Sequence, residues 1–134
     1  MDRHERLQSA VFAVFGSSNW ASENIKTIPQ DFTPDNLGEE FIRVSIVPGG
    51  HGLNILSLSG VLMIDIFTLA GQGPNRKTQI VDKLESYLVG KCLAAGGNDV
   101  VQFGNSSLKP SGLDRDNPAL TRSTLTIPFD LFGV

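Results

Sequence analysis

The chain has 134 residues, of which 40% are hydrophobic, with a net charge of −3 and one cysteine. This length and composition predict a single soluble domain, residues 1–134, whose core folds without disulfides or metal. The acidic balance and the scattered Lys and Arg argue against non-specific nucleic-acid binding, and we expect no signal peptide and no membrane-spanning segment.

The N-terminal segment, from about Asp2 to Phe15, has the apolar spacing of an amphipathic helix, and Gly16 is expected to end it. The apolar face of this helix comprises Leu7, Val11, Val14 and Phe15. A polar, proline-containing connection from Ser17 to Glu40 follows, with a few apolar residues that anchor it to the core. Within it, Ile25 to Ile28 is compatible with a short extended segment.

Two strands are predicted next, joined as a hairpin. Phe41 to Val47 alternates apolar and polar side chains, and the Gly-rich run from Pro48 to Gly52 is expected to break that strand. The second strand is longer and runs from about Gly60 towards a turn at Gly71. One of its faces carries Leu62, Ile64 and Ile66, and the other carries Val61, Met63, Asp65 and Phe67. Because both faces are largely apolar, we expect packing partners on both sides.

A second helix is predicted directly after this strand, with Gly73 as its N-cap and Pro74 at its first position. Its apolar stripe comprises Ile80, Val81, Leu84 and Leu88. We expect Gly96 and Gly97 to end it, which would place Cys92 on the helix as a buried small hydrophobe.

The junction before this helix superficially matches a phosphate-binding loop. Gly71 to Thr78 fits the pattern G-x-x-x-x-G-K-[ST], except that Arg76 replaces the second glycine. That glycine lets the backbone approach the phosphates, and a long side chain there obstructs them. Pro74 also removes one N–H from the cradle, and no later apolar strand ends in a magnesium-binding Asp. The junction is therefore interpreted as an architectural turn.

The last two strands are predicted at Asp99 to Phe103 and at Ala119 to Phe129, separated by a polar loop from Gly104 to Pro118. Pro128 suggests that the final strand ends at an edge or outside the ladder. The element order α-β-β-α-β-β predicts an α+β fold. It would be a four-stranded, mainly antiparallel sheet with two helices packed on one face and two long loop arms, Val47 to Leu58 and Gly104 to Pro118.

Two helices cover only one side of such a sheet. The second face, with Met63 and Phe67, would then be partly exposed on a monomer, and a large exposed apolar patch usually marks an interface. Asp65 is the unusual residue on that face, with three readings. It faces solvent beside the arms, pairs with an Arg of a neighbouring subunit, or lies in a contact between subunits.

Three sets of potentially reactive residues are better explained by structural roles than by catalysis or metal binding. His51 lies in a Gly-rich arm, and no G-x-S-x-G nucleophile motif accompanies it. A dyad of Cys92 with His51 is formally conceivable, but Cys92 follows the stripe of a packed helix. The two histidines and the carboxylates do not have metal-site spacing. No catalytic, cofactor or metal site is therefore predicted, and the protein is not expected to be an enzyme.

Several short phrases along the chain resemble a known family. They are Glu40 to Pro48, Gly60 to Phe67, Gly71 to Pro74 opening a helix, Asp99 to Phe103 and Ser123 to Phe129. Together with the leading helix and the connection around Asp31 to Pro34, they resemble the tail terminator (tail completion, minor tail protein U-like) proteins of long-tailed bacteriophages. The resemblance covers almost the whole chain, but it consists of element order and anchor phrases rather than of a catalytic signature.

The resemblance implies a hexameric ring that caps the tail tube, stops its polymerisation and provides the surface for head attachment. The implied partners are other copies of the chain, the major tail tube protein and a head-completion or connector protein. DNA would pass through the lumen without specific binding, which suits a mildly acidic ring because like charges repel. The implied location is the head-proximal end of the virion tail, after synthesis in the host cytoplasm, with no membrane contact.

The candidate interface residues are Arg43, His51, Leu53, Met63, Asp65, Phe67, Leu108 and Arg115. Two other functions are retained as alternatives. One is a different phage head-tail connector, neck or head-completion protein. The other is a small ligand-binding or enzymatic α+β domain, for which the sequence offers no convergent set of polar residues. The position of the gene beside the head-connector and major tail protein genes would separate the terminator from the other connectors.

Overall fold

A computed structural model describes residues 3–23, 25–29, 40–51, 58–69, 75–94, 100–113 and 120–132. The three helices of these residues are α1 (Arg3–Phe15), α2 (Ser18–Ala21) and α3 (Asn75–Leu88). Their seven strands are β1 (Thr27–Pro29), β2 (Phe41–His51), β3 (Leu58–Leu69), β4 (Cys92–Ala94), β5 (Val100–Phe103), β6 (Ser107–Leu113) and β7 (Leu120–Phe132). None of these helices combines the length and the hydropathy needed to cross a membrane.

The strands form one curled, mixed sheet in the order β1-β2-β3-β7-β5-β4, with β6 also paired to β7. Only β1 and β2 are parallel, and every other described pair is antiparallel. The prediction of a four-stranded sheet with two helices was therefore wrong. Three strands were not part of the predicted sheet, for physical reasons. β1 and β4 are only three residues long, which is too short for a periodic pattern. β6 contains Pro110 and Gly112, which are typical of loops.

The hairpin of β2 and β3 continues further than its glycines suggest. β2 extends through Pro48 to His51, and its register against β3 shifts between Pro48 and Gly50. Such a bulge absorbs one extra residue without ending the ladder. The described part of the predicted arm Val47 to Leu58 is therefore strand, and residues 52–57 lie outside the described residues.

β5 and β6 follow one another along the same edge of the long strand β7. β5 pairs with Phe129 to Phe132, and β6 pairs with Thr121 to Thr126. Between them, the Gly104 amide donates to the Pro128 carbonyl at 2.9 Å, and a Cβ on Gly104 would lie 3.1 Å from the Pro128 ring. The N–H and C=O groups of one strand residue point to the same side of the strand. The N–H that Pro128 lacks would therefore point to the break between β5 and β6. Pro128 thus lies inside a central strand. Of the predicted loop from Gly104 to Pro118, residues 107–113 are strand β6, and residues 114–118 lie outside the described residues.

Helix α3 ends at Leu88, well before the predicted Gly96 and Gly97. Gly90 has a φ of 72°, a left-handed conformation that favours glycine after a helix C-terminus, and the Lys91 amide donates to the Leu88 carbonyl at 3.1 Å. The chain then enters β4, so Cys92 is an exposed strand residue and not a buried helical one. The pair Gly96 and Gly97 is a stronger helix-stop signal in the sequence than the single Gly90, so the sequence predicts a helix that ends too late.

The main core lies between the helices and one face of the sheet, which we call the inner face. Helix α1 begins and ends almost as predicted, with Leu7 and Val11 buried. Helix α3 contributes the full predicted stripe of Ile80, Val81, Leu84 and Leu88. From the sheet, the inner face contributes Ile42, Val44, Leu62, Ile64, Ile66, Val101, Phe103, Leu125, Ile127, Phe129 and Leu131. Burial of each such aliphatic side chain contributes roughly 1.5–3 kcal/mol before entropy is counted.

Candidate assembly surface

The opposite face of the sheet, which we call the outer face, carries four of the eight candidate interface residues: Arg43, Met63, Asp65 and Phe67. Successive strand side chains alternate between the two faces, so the register assigns each residue to one of them. In one row of the outer face, next to the pair Phe41 and Phe67, Arg43 is opposite Asp65, Asp65 is opposite Thr124, and Thr124 is opposite Lys109. One end of this face is buried by residues of the chain itself, and the rest is partly exposed.

The buried end is a second, smaller hydrophobic cluster. It consists of Ile28, Phe41, Phe67 and Leu120. The rings of Phe41 and Phe67 are stacked, with centroids 4.4 Å apart and an interplanar angle of 18°. Phe67 is only 4% exposed, so the prediction that it is partly exposed on a monomer was wrong. The reason is that β1, which the predicted four-stranded sheet lacks, brings Ile28 into this cluster from a position opposite Arg43.

Charged side chains border this cluster. Asp65 is 8% exposed, and its Oδ1 accepts hydrogen bonds from Arg122 Nη2 at 3.2 Å and from Thr124 Oγ1 at 2.9 Å. The guanidinium groups of Arg43 and Arg122 lie 5.8 Å and 5.9 Å from the centroid of the Phe67 ring, within cation–π range. The Nε atoms of both arginines are buried and have no hydrogen-bond partner. One of the three interpretations of Asp65 was a pair with an Arg of a neighbouring subunit. In the structure Asp65 pairs with an arginine of its own chain, Arg122.

The exposed part of the outer face lies on the other side of this charged row. Met63 and Val61 on β3 are half-buried, and Val47 on β2 is 40% exposed. Ser45 and Thr126 flank Met63 in the register and are also half-buried. The predicted partial exposure of Met63 is therefore confirmed, and the accessible surface here mixes apolar and small polar groups, as is usual for interfaces that form after folding.

The remaining candidates are spread over the molecule. Leu108 is 39% exposed on β6, opposite Leu125, on the helix side of the sheet. His51 is the last residue of β2, where only its backbone is described. Leu53 and Arg115 lie outside the described residues. The structure thus brings Arg43, Asp65 and Phe67 together in one cluster, with Met63 beside it on the same face.

The catalytic alternatives gain no support from the arrangement of the described residues. His51 lies on β2 and Cys92 on β4, and three other strands separate these two in the sheet. Within the described ranges, no group of three or more His, Cys, Asp or Glu side chains is placed to hold a metal ion. The predicted helix start at Gly73 and Pro74 lies outside the described residues, and α3 is described from Asn75.

Polar contacts on the helix side hold α3 in position. Lys83 Nζ lies 2.7 Å from Glu23 Oε2, and this hydrogen bond lowers the pKa of Glu23 and raises the pKa of Lys83. Tyr87 donates to Glu23 Oε1 at 3.3 Å, and desolvation raises the pKa of Tyr87. Ser106, between β5 and β6, donates to Glu85 Oε1 at 2.8 Å. These contacts join α3 to the turn after α2 and to the connection between β5 and β6, which is a structural role.

Sequence reasoning missed Arg122 and Thr124 as partners of Asp65. Their positions alternate with Ser123 and Leu125, so a strand reading already assigns them to the face opposite the last strand's apolar residues. What the sequence does not contain is the pairing of β3 with β7, which sets Thr124 directly opposite Asp65. Register between strands distant in sequence is decided by packing and not by local pattern.

Comparisons with known proteins identify the fold and no function. No protein-family model matches the chain. No curated protein matches it either. Among solved structures, one superposes with a TM-score of 0.75 and 17% sequence identity, over 98% of this chain and 96% of that chain. The name of that protein states no function, and at this identity the similarity concerns the fold alone.

Proposed function

We propose that the chain is a bacteriophage tail terminator: copies form a ring that caps the tail tube, stops its polymerisation and provides the head-attachment surface. The observation that carries the proposal is the partly uncovered outer face of the two long strands β2 and β3, where Val47 is 40% exposed beside the half-buried Val61 and Met63. A soluble chain that leaves this surface accessible is suited to cover it with another protein copy. The resemblance of the sequence phrases to the terminator family supports the same reading.

The architecture is compatible with such a role. A closed ring needs two different patches on each subunit that bind head to tail. The described residues form a curled sheet with helices on its inner side, and the part of the outer face around Val47 and Met63 is partly exposed to neighbours. The net charge of −3 suits a lumen that DNA passes without binding, because like charges repel.

Deletion of the gene from the phage that encodes the chain tests the proposal. We expect tails of uncontrolled length in electron micrographs, and a plasmid copy of the gene should restore one length. Tails of normal length beside heads that leak DNA would instead indicate a head-completion or neck protein. Unaltered virions would contradict both and favour a small ligand-binding domain.

A complementing plasmid with a single substitution sharpens this test. Val47→Glu places a charge on the accessible outer face and should fail to restore tail length. Gln8→Glu adds the same charge to an exposed position of α1 on the helix side and should restore it. Equal rescue by both variants would show that the outer face has no part in capping.

A further inference from the structure

The outer face carries opposite charge at its two ends. Arg122 and Asp130 both lie at even-numbered positions of β7, and therefore on the same face. They are about 26 Å apart at the usual strand rise of about 3.3 Å per residue. Arg43 and the exposed Lys109 lie near Arg122, on either side of it in the sheet. We call these the basic end and, around Asp130, the acidic end.

The basic end holds more cationic than anionic groups. Within the described residues it contains two guanidinium groups, one exposed ammonium and one carboxylate, Asp65. Arg122 uses Nη2 to contact Asp65, yet its side chain is 44% exposed. A guanidinium has five N–H donors, so donors remain for a second acceptor. Because Phe67 and Asp65 already fix Arg122, binding a further carboxylate would cost little side-chain entropy.

The acidic end has the complementary composition. Asp130 is exposed, its neighbours across the sheet are Ser59 and Gln102, and no described cation pairs with it. Val100, 36% exposed, and the half-buried Phe132 lie beside it on the same face. A carboxylate that has no cation partner among the described residues lies here next to apolar surface, and at the other end arginines lie next to an aromatic cluster. Such complementary charge sets the register between partners.

We infer that the acidic end of one copy binds the basic end of the next, with Asp130 accepting hydrogen bonds from the exposed side of the partner's Arg122. The inference rests on the proposed function, which requires contacts between copies. Because the two ends differ, one copy can offer its acidic end to a second copy and its basic end to a third, which is the head-to-tail arrangement that a closed ring needs. The sequence suggested that Asp65 pairs with an Arg of a neighbouring subunit. In this arrangement, Asp65 instead holds Arg122 of its own chain, and Arg122 makes the contact between subunits.

Sedimentation velocity across a concentration series tests the inference on the full chain. Association of the wild type towards a ring would give species of up to about 86 kDa, six times the 14.4 kDa of one chain. Asp130→Asn and Arg122→Gln should each weaken association by about tenfold or more. Lys91→Glu, a charge change at an exposed position outside the outer face, should leave association within about twofold. Thermal melts of each variant confirm that it is folded.

The double variant Arg122→Gln/Asp130→Asn decides whether the two residues contact each other. If they do, the double variant associates no more weakly than the worse single variant. Full addition of the two effects, an Asp130→Asn variant indistinguishable from Lys91→Glu, or a wild type that stays monomeric throughout would each overturn the contact. None of these results affects tail-length control in the deletion phage, so the contact and the proposed function fail separately.

Discussion

The two faces of the sheet are buried in different ways. The inner face is a continuous aliphatic layer closed by α1 and α3, and Leu62, Ile64 and Leu125 are fully buried there. The outer face is buried only at one end, by stacked aromatic rings with arginines over them, and is half-exposed elsewhere. Burial of apolar side chains therefore stabilises the fold across the whole inner face but at only one end of the outer face. The rest of the outer face is partly exposed to solvent.

The largest expected effect tests whether the small outer cluster contributes to stability like a true core. Phe67→Ala should lower the free energy of unfolding by about 3–5 kcal/mol, because it removes a ring that is only 4% exposed and leaves a cavity. Chemical denaturation measures this. Leu62→Ala on the inner face is the matched reference, at about 2–5 kcal/mol. A loss below about 1 kcal/mol for Phe67→Ala would mean that the outer cluster adds little to folding.

The next prediction concerns how much the charged row, as distinct from the aromatic cluster, contributes to the free energy of unfolding. Asp65→Asn should lower the free energy of unfolding by about 1–3 kcal/mol, because Arg122 loses its carboxylate partner at a position that is largely buried. The partial exposure of Arg122 keeps the effect towards the lower value. Thr124→Val removes only the second hydrogen bond to Asp65 and should cost less. Equal stability of Asp65→Asn and the wild type would contradict the bracing role of Asp65.

A smaller effect concerns how the inner-face helix ends. Gly90→Ala should cost about 1 kcal/mol in thermal or chemical unfolding, because its φ of 72° is unfavourable for any residue with a Cβ. No heavy atom lies within 4 Å of the added Cβ, so the cost comes from the backbone alone. Asn at the same position tolerates this conformation better and should recover part of the loss.

The smallest effect is a pH dependence on the helix side. The hydrogen bond from Lys83 lowers the pKa of Glu23, so this pair stabilises the fold above the ordinary carboxyl range and the contribution is lost as pH falls through the lowered value. The raised pKa of Lys83 means that the contribution is also lost as pH rises above about 10.5. Glu23→Gln should therefore differ from the wild type least in acid and most near neutral pH. A constant difference across pH would contradict the pairing.

The sequence predicted the long elements and the short strand β5, allowed a short extended segment at Ile25 to Ile28 that overlaps β1, and missed β4 and β6. The apolar spacing of Leu7 and Val11 and of Ile80 and Leu84 identified both long helices, since their periodicity extends over several turns. The three-residue strands β1 and β4 have no room for a pattern, and the Pro and Gly of β6 indicated a loop. Those three strands turned a four-stranded sheet into a curled sheet of seven.

For the candidate site, the sequence alone placed Arg43, Met63, Asp65 and Phe67 on one face, because strand geometry alternates side chains with a period of two residues. Only the tertiary structure decided that Phe67 is buried, that Asp65 binds Arg122 within the chain, and that Met63 remains half-exposed. Those outcomes depend on the pairing of β1 with β2 and of β3 with β7, which join residues far apart in the chain. Local pattern determines which face a side chain takes, and long-range packing determines what it meets there.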